Sequence, residues 1–186
     1  ELGGSLRMVN LVEESQRLAS TDVLTGLYNR RALSIKLDES LQHCRLRGST
    51  MALMLLDVDH FKRINDTHGH GGGDLVLSQL GALLSTLGGI AGRWGGEEFV
   101  LILRDVDEER AMAFASRLRL AVEGLDIATE DTTIKVTVSV GVAVLVSEDT
   151  IDSLVDRADR AMYHAKSSGR NQVCIDTVLV DAALAV

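Results

Sequence analysis

The sequence predicts an α+β fold of ferredoxin-like, split βαβ type, in which helices cover a central, mainly antiparallel sheet. Three observations predict it. The run MALMLLDVD (51–59) is continuously apolar and then abruptly acidic, as in a short strand buried on both faces. IAGRW (90–94) and EEFVLIL (97–103) flank Gly95-Gly96, a strong hairpin signal. Stretches of helical spacing separate these strands and follow them, so strand, helix, hairpin, helix, strand, helix and edge strand succeed one another.

Each element has its own warrant. In residues 5–20 apolar positions fall at Leu6, Val9, Val12 and Leu18, a thin helical stripe. Such a stripe suits a coiled-coil connector and equally a helix packed on its own domain. Thr21-Asp22 offers a cap or turn, Gly26 interrupts, and a helix is expected over 29–46, ending near Gly48. After the buried strand, the glycine-dense GHGGGD (69–74) reads as a loop, with Asp74 as the N-cap of a helix over 74–87. A helix over 107–123, a β-branched strand over 134–146, a helix over 151–166 and a short edge strand over 171–175 complete the chain. The expected organisation is an N-terminal helical connector (1–21) to an upstream domain, one catalytic-size domain (22–176) and a small apolar tail (177–186).

Composition sets the outer limits. At 186 residues and 46% apolar content, one domain with a sizeable core is expected. Lys+Arg 19 against Asp+Glu 27 gives a net charge of −8 with no basic stretch. That argues against nucleic acid and against an anionic membrane surface as partners. No apolar run reaches the ~18 residues of a spanning helix. Two distant cysteines, Cys44 and Cys174, exclude a disulfide framework and a cysteine zinc site; they suit a reducing cytoplasm. Proline is absent, so the 17 glycines must make the turns. The chain begins at Glu1 without a signal-peptide pattern, as expected of a fragment whose longer parent could carry a membrane anchor in a missing N-terminal region.

The chemistry-bearing residues are ambiguous one at a time. Asp57 and Asp59 stand at the end of the buried strand, spaced to share a face. Such carboxylates cost free energy unless a cation or a hydrogen-bond network meets them, and Mg²⁺ favours oxygen ligands. A solvated, capped strand end explains them too. Lys62 could sit on a phosphate. Glu97 and Glu98 follow the hairpin turn; in regular strand they would point to opposite faces, so one could face a metal held by Asp57. An ordinary hairpin with charged shoulders is the bland alternative. Asn65 and Asp74 combine donor and acceptor groups able to read the Watson–Crick edge of guanine, or serve only as cap and turn. GHGGGD lacks the marks of a P-loop or a dinucleotide fingerprint. His68 and His70 lack further ligands for zinc. Lys166 and Arg170 lie at a helix end, where cations are favourable in any protein.

The combination is distinctive. DVLTGLYNRRAL (22–33), LLDVDHFKRINDTHGHGGGDLVL (55–77), RWGGEEF (93–99), VSVGVA (138–143) and ADRAMYHAKSSGRNQV (158–173) run in order over nearly the whole chain from residue 22. Together they resemble the GGDEF-domain diguanylate cyclases, with GGEEF as an accepted form of the signature. The resemblance implies a nucleotidyl-cyclase-like fold and the joining of two GTP into cyclic di-(3′→5′)-GMP with loss of two pyrophosphates. It implies Mg²⁺, with Mn²⁺ as an alternative, bound by Asp57, Glu97, the Val58 backbone carbonyl and Glu98. Glu97 would also accept the proton of the attacking hydroxyl. Asn65 and Asp74 would hold guanine, with Phe61 and His70 nearby, and Lys62, Lys166 and Arg170 would neutralise the triphosphate. Aspartate at position 74 favours guanine over adenine. Each domain would carry one GTP, so a homodimer is implied, with an upstream sensory domain in the full-length chain.

Two departures stand out. The family's inhibitory RxxD falls on positions 86–89, where Thr86 and Gly89 replace arginine and aspartate. No tight product binding is expected there. Val23 stands where proline is common, affecting only the turn. The rival functions are an idle GTP-binding or dimerisation module and a related cyclase with a different product.

Overall fold

The computed structural model describes residues 20–130 and 132–176. The expected connector lies almost wholly outside the described residues, and the tail over 177–186 entirely so. The elements are α1 (Arg30–Arg47), β1 (Met51–Val58), α2 (Phe61–Thr86), β2 (Ile90–Gly95), β3 (Glu98–Arg104), α3 (Glu108–Glu123), β4 (Ile127–Ala128), β5 (Thr133–Ile134), β6 (Val138–Val144), α4 (Ile151–Ser167) and β7 (Val173–Ile175).

The five-stranded sheet has the order β2-β3-β1-β6-β7. All pairs are antiparallel except β6–β7. The expected mainly antiparallel sheet and edge strand are thus both present. Strand β1 is central and buried at all eight residues. Its alternation divides the core. Ala52, Met54, Leu56 and Val58 pack with Val76, Leu77 and Leu80 of α2 and with Ala115 and Leu118 of α3. Met51, Leu53 and Leu55 pack with Leu33 and Leu37 of α1 and with Leu154 and Met162 of α4. The period of two along the strand is what lets one apolar run serve two helical layers. Local sequence sets the helix ends. The Asn29 side chain accepts from the Ala32 N–H at 3.0 Å, Asp107 accepts from the Arg110 N–H, and Thr150 with Ser153 forms a capping box.

Four local expectations are corrected. Residues 69–74 are not a loop: α2 runs through them, broken only at Gly69 (φ 70, ψ 173), so Asp74 lies inside a helix and is no N-cap. Glycine's unfavourable helix propensity is overridden because the two arms of the kinked helix close on each other at Gly73, which is buried against Asn65 and Phe61. The hairpin turn is Gly96-Glu97, one residue later than expected, with a bulge between Arg93 and Gly95. The expected strand over 134–146 is two, because residues 135–137 leave the ladder; its first part pairs with the unforeseen β4. The edge strand starts at Val173, since Arg170 and Asn171 are left-handed (φ 64 and 47). Among the described residues no helix is long and apolar enough to cross a membrane.

Candidate active site at the end of the central strand

The site forms where β1 runs out and the β2–β3 hairpin folds over it. Antiparallel register sets Asp57 opposite Glu98 on one side and Ser139 on the other. The Val58 N–H donates to the Glu97 carbonyl at 3.3 Å, drawing the turn onto the strand end. Arg93 holds the turn from beneath. Its Nε and Nη2 donate to the Gly96 carbonyl at 3.0 and 2.7 Å, and its Nη1 meets Asp22 at 3.2 Å. These contacts explain the late turn, because the guanidinium fixes Gly96 and leaves Glu97 at the tip.

Like charges directly opposite in a sheet are destabilising. Asp57 and Glu98 are such a pair, with Glu97 adjoining. Asp57 is 8% exposed. Burial pushes its carboxyl above the ordinary carboxylate range; the Lys166 ammonium opposes this, and Glu97 and Glu98 add to the rise. Lys166, from the last turn of α4, reaches Asp57 Oδ2 at 2.8 Å. The cluster is an acidic rim on an apolar sheet, with one lysine paired to Asp57. Among the described residues no three His, Cys, Asp or Glu side chains are already drawn into a metal cage.

A second cluster lies on α2. Phe61 and Asn65 are half-buried in its first arm and meet the second arm at Gly73. A Cβ at Gly73 would overlap Asn65 Oδ1 and lie 3.1 Å from Phe61 Cζ. Asp74 follows and is exposed. The kink therefore closes Asn65 onto Gly73, the residue before Asp74. His70 is exposed just past the kink, Lys62 is exposed on the first turn of α2, and Arg170 is exposed beyond α4.

Asp59 does not act with Asp57 as an acidic pair. Its carboxylate accepts from Thr137 Oγ1 (2.7 Å), Ser139 Oγ (2.7 Å) and the Asn171 N–H (3.0 Å). Sequence reading passed over Gly73, Arg93 and Asn171 as individual residues. Each lies inside a motif stretch, which was the available signal. Thr86, at the end of α2, turns its hydroxyl back to the Leu83 carbonyl at 2.7 Å, and Gly89 adopts φ 86.

The family described as "Diguanylate cyclase, GGDEF domain" matches residues 19–172. The response regulator PleD of Caulobacter vibrioides is 41% identical over 170 residues, 88% of this chain and 37% of PleD. Diguanylate cyclase DgcZ of Escherichia coli is 40% identical over 160 residues, 83% of this chain and 52% of DgcZ. The chain thus spans about half or less of the length of these relatives. Among solved structures, the coiled coil and GGDEF domain of DgcB from Caulobacter crescentus, in complex with c-di-GMP, superposes with a TM-score of 0.88 at 31% identity, covering 94% of each chain. The active GGEEF domain of a Vibrio cholerae diguanylate cyclase gives 0.75 at 31% identity, covering 81% of this chain and 97% of that one. The family match over most of the chain, with these relatives and solved structures, shows that the chain belongs to the GGDEF-domain diguanylate cyclase family.

Proposed function

We propose that this domain condenses two GTP into cyclic di-(3′→5′)-GMP, releasing two pyrophosphates. The observation that carries the reading is the carboxylate cluster of Asp57, Glu97 and Glu98 at the open end of β1, with Lys166 against it. Hard oxygen donors at an acidic rim fit Mg²⁺, which takes one or two carboxylates and completes its shell with water and substrate phosphates. A closed protein cage is not required. Asp57, Glu97, Glu98 and the Val58 carbonyl would hold the ion. Bound Mg²⁺, or Mn²⁺ in its place, polarises the α-phosphate and lowers the pKa of the attacking hydroxyl.

The chain's own residues do the rest. Asn65 and Asp74 bind the guanine edge, with Phe61 beside them and His70 at the rim. Lys62, Lys166 and Arg170 neutralise the triphosphate, where charge accumulates on the departing pyrophosphate. Glu97 accepts the proton as the 3′-hydroxyl of one GTP bonds to the α-phosphorus of the other and the bond to pyrophosphate breaks. The same step in the opposite sense closes the ring. One domain offers one nucleotide site, so two copies face each other about a two-fold axis. Dimerisation then governs rate through proximity, where oriented groups gain ~7–11 kcal/mol.

Product mass spectrometry after incubation with GTP, ATP and their mixture tests the reading. Cyclic di-GMP from GTP alone is expected, and none from Glu97→Ala. An adenine-containing product would favour the related-cyclase reading, and no product at all would leave an idle nucleotide-binding module. Synthesis that survives in Glu97→Ala would remove Glu97 from its role.

A further inference from the structure

Asp59 stands two residues beyond Asp57 and is 5% exposed. A buried carboxylate is costly unless donors meet it, and three do. Two are the hydroxyls of Thr137 and Ser139; the third is the backbone N–H of Asn171 at 3.0 Å. The third donor is the informative one, because Asn171 belongs to the connection that leaves α4. Gly169, Arg170 and Asn171 have successive positive φ values of 116, 64 and 47. Asparagine tolerates left-handed backbone, but an arginine holds it only where surrounding contacts impose it.

Those contacts form a frame. The Arg170 N–H donates to the Ala165 carbonyl at 3.0 Å, and Gln172 Nε2 donates to the same carbonyl at 2.8 Å. The Asn171 side chain is held between Arg119 and Glu123 of α3, each at 2.8 Å. These bonds tie the connection to α4 and α3. Asp59 ties it to the end of β1, the strand that carries Asp57. Arg170, its own N–H held by Ala165, precedes the anchored Asn171 and has its side chain exposed.

We propose that Asp59 is a positioning residue: it clamps the left-handed connection to the end of β1 and thereby sets Arg170 at a fixed distance from the Asp57 carboxylate. The proposal rests on the reading that Arg170 faces the triphosphate. Arg170 then meets the nucleotide without first ordering the left-handed Arg170-Asn171 backbone, a preorganisation that favours binding and orientation.

The test compares Asp59→Ala, Asp59→Asn and Arg170→Ala, with the Asp59→Ala/Arg170→Ala double variant, in the whole chain. Cyclic di-GMP formation is followed against GTP concentration, and amide hydrogen exchange is read over residues 168–172. Asp59→Ala is expected to raise KM for GTP about tenfold and to speed exchange at Arg170 and Asn171. Arg170→Ala is expected to add nothing in the Asp59→Ala background, because the arginine is already misplaced. Asp59→Asn is expected to restore KM to within about twofold of wild type. Its amide oxygen can accept from Thr137 and Asn171 while the rotatable Ser139 hydroxyl accepts from the amide nitrogen.

Additive losses from Asp59→Ala and Arg170→Ala would overturn the proposal. So would an Asp59→Asn variant as impaired as Asp59→Ala, which would assign the effect to charge. Unchanged amide exchange at Asn171 in Asp59→Ala would also overturn it. Should Asp59→Ala fail to fold, Asp59→Ser makes the same comparison. A wild-type chain that forms no cyclic di-GMP would refute the proposed function, and the exchange measurement would then decide the clamp separately.

Discussion

Gly73→Ala separates stability from recognition. Gly73 is buried within the second arm of α2 and is not among the positive-φ glycines. Alanine is favoured over glycine in a helix interior by about 1 kcal/mol. The added Cβ would overlap Asn65 Oδ1 and lie 3.0 Å from Asn65 Cγ and 3.1 Å from Phe61 Cζ. Asn65 must therefore leave its rotamer, at a cost of about 0.5–1.5 kcal/mol. The two effects nearly cancel, so thermal stability should stay close to wild type. Recognition should not. If Asn65 makes two hydrogen bonds to guanine, each contributes about 0.5–1.5 kcal/mol. Losing both raises KM for GTP about 5- to 150-fold. Gly71→Ala is the control, since its Cβ would have nothing within 4 Å and its backbone is not left-handed; it should gain stability and leave KM unchanged. Initial rates against GTP, beside thermal unfolding of the same preparations, decide the matter. A folded Gly73→Ala variant with wild-type KM would refute the placing of Asn65 on the base.

Asp57 gives a pH dependence. Its carboxyl titrates above the ordinary range because of burial, so in ion-free protein its contribution to stability is present below the unfolded carboxylate pKa and lost as pH rises through the raised value. Mg²⁺ competes with that proton, so the rise in melting temperature on adding Mg²⁺ should be larger at pH 7.5 than at pH 5, and Asp57→Asn should abolish the difference. Arg157 is 6% exposed and bridges Asp149 (2.6 Å) and Asp176 (3.2 Å), beside the Val144 end of β6. Arg157→Met should cost about 3 kcal/mol by stranding buried Asp149 and lower the melting temperature by about 6–12 °C, with kcat unchanged because Asp57 lies at the opposite end of the sheet. Titration with cyclic di-GMP should give no sub-micromolar inhibition through residues 86–89, since neither Thr86 nor Gly89 can supply the charges of an RxxD site; such inhibition, lost on changing those residues, would refute the expectation.

The residue pattern alone specified the layers of this domain. MALMLLDV fitted a strand buried on both faces, because a short apolar run ending in an acid leaves no solvent face along its length. Helices expected over 29–46, 107–123 and 151–166 begin at Arg30, Glu108 and Ile151, where the Asn29, Asp107 and Thr150 side chains bond within three residues of themselves. The motif stretches likewise singled out Asp57, Glu97, Asn65 and Asp74 as candidates for one family's site. Contacts between distant segments settled the remainder. Residues 69–74 looked like a loop because glycine disfavours helix locally, yet the closure of Asn65 and Phe61 onto Gly73 depends on packing that local preference does not encode. The turn moved to Gly96-Glu97 because Arg93 grips the Gly96 carbonyl and Asp22 grips Arg93, 71 positions away. Asp57 and Asp59 are chemically identical neighbours. Their division into a lysine-paired acid facing the hairpin and a hydrogen-bonded clamp on Asn171 was settled by donors arriving from β6 and from beyond α4.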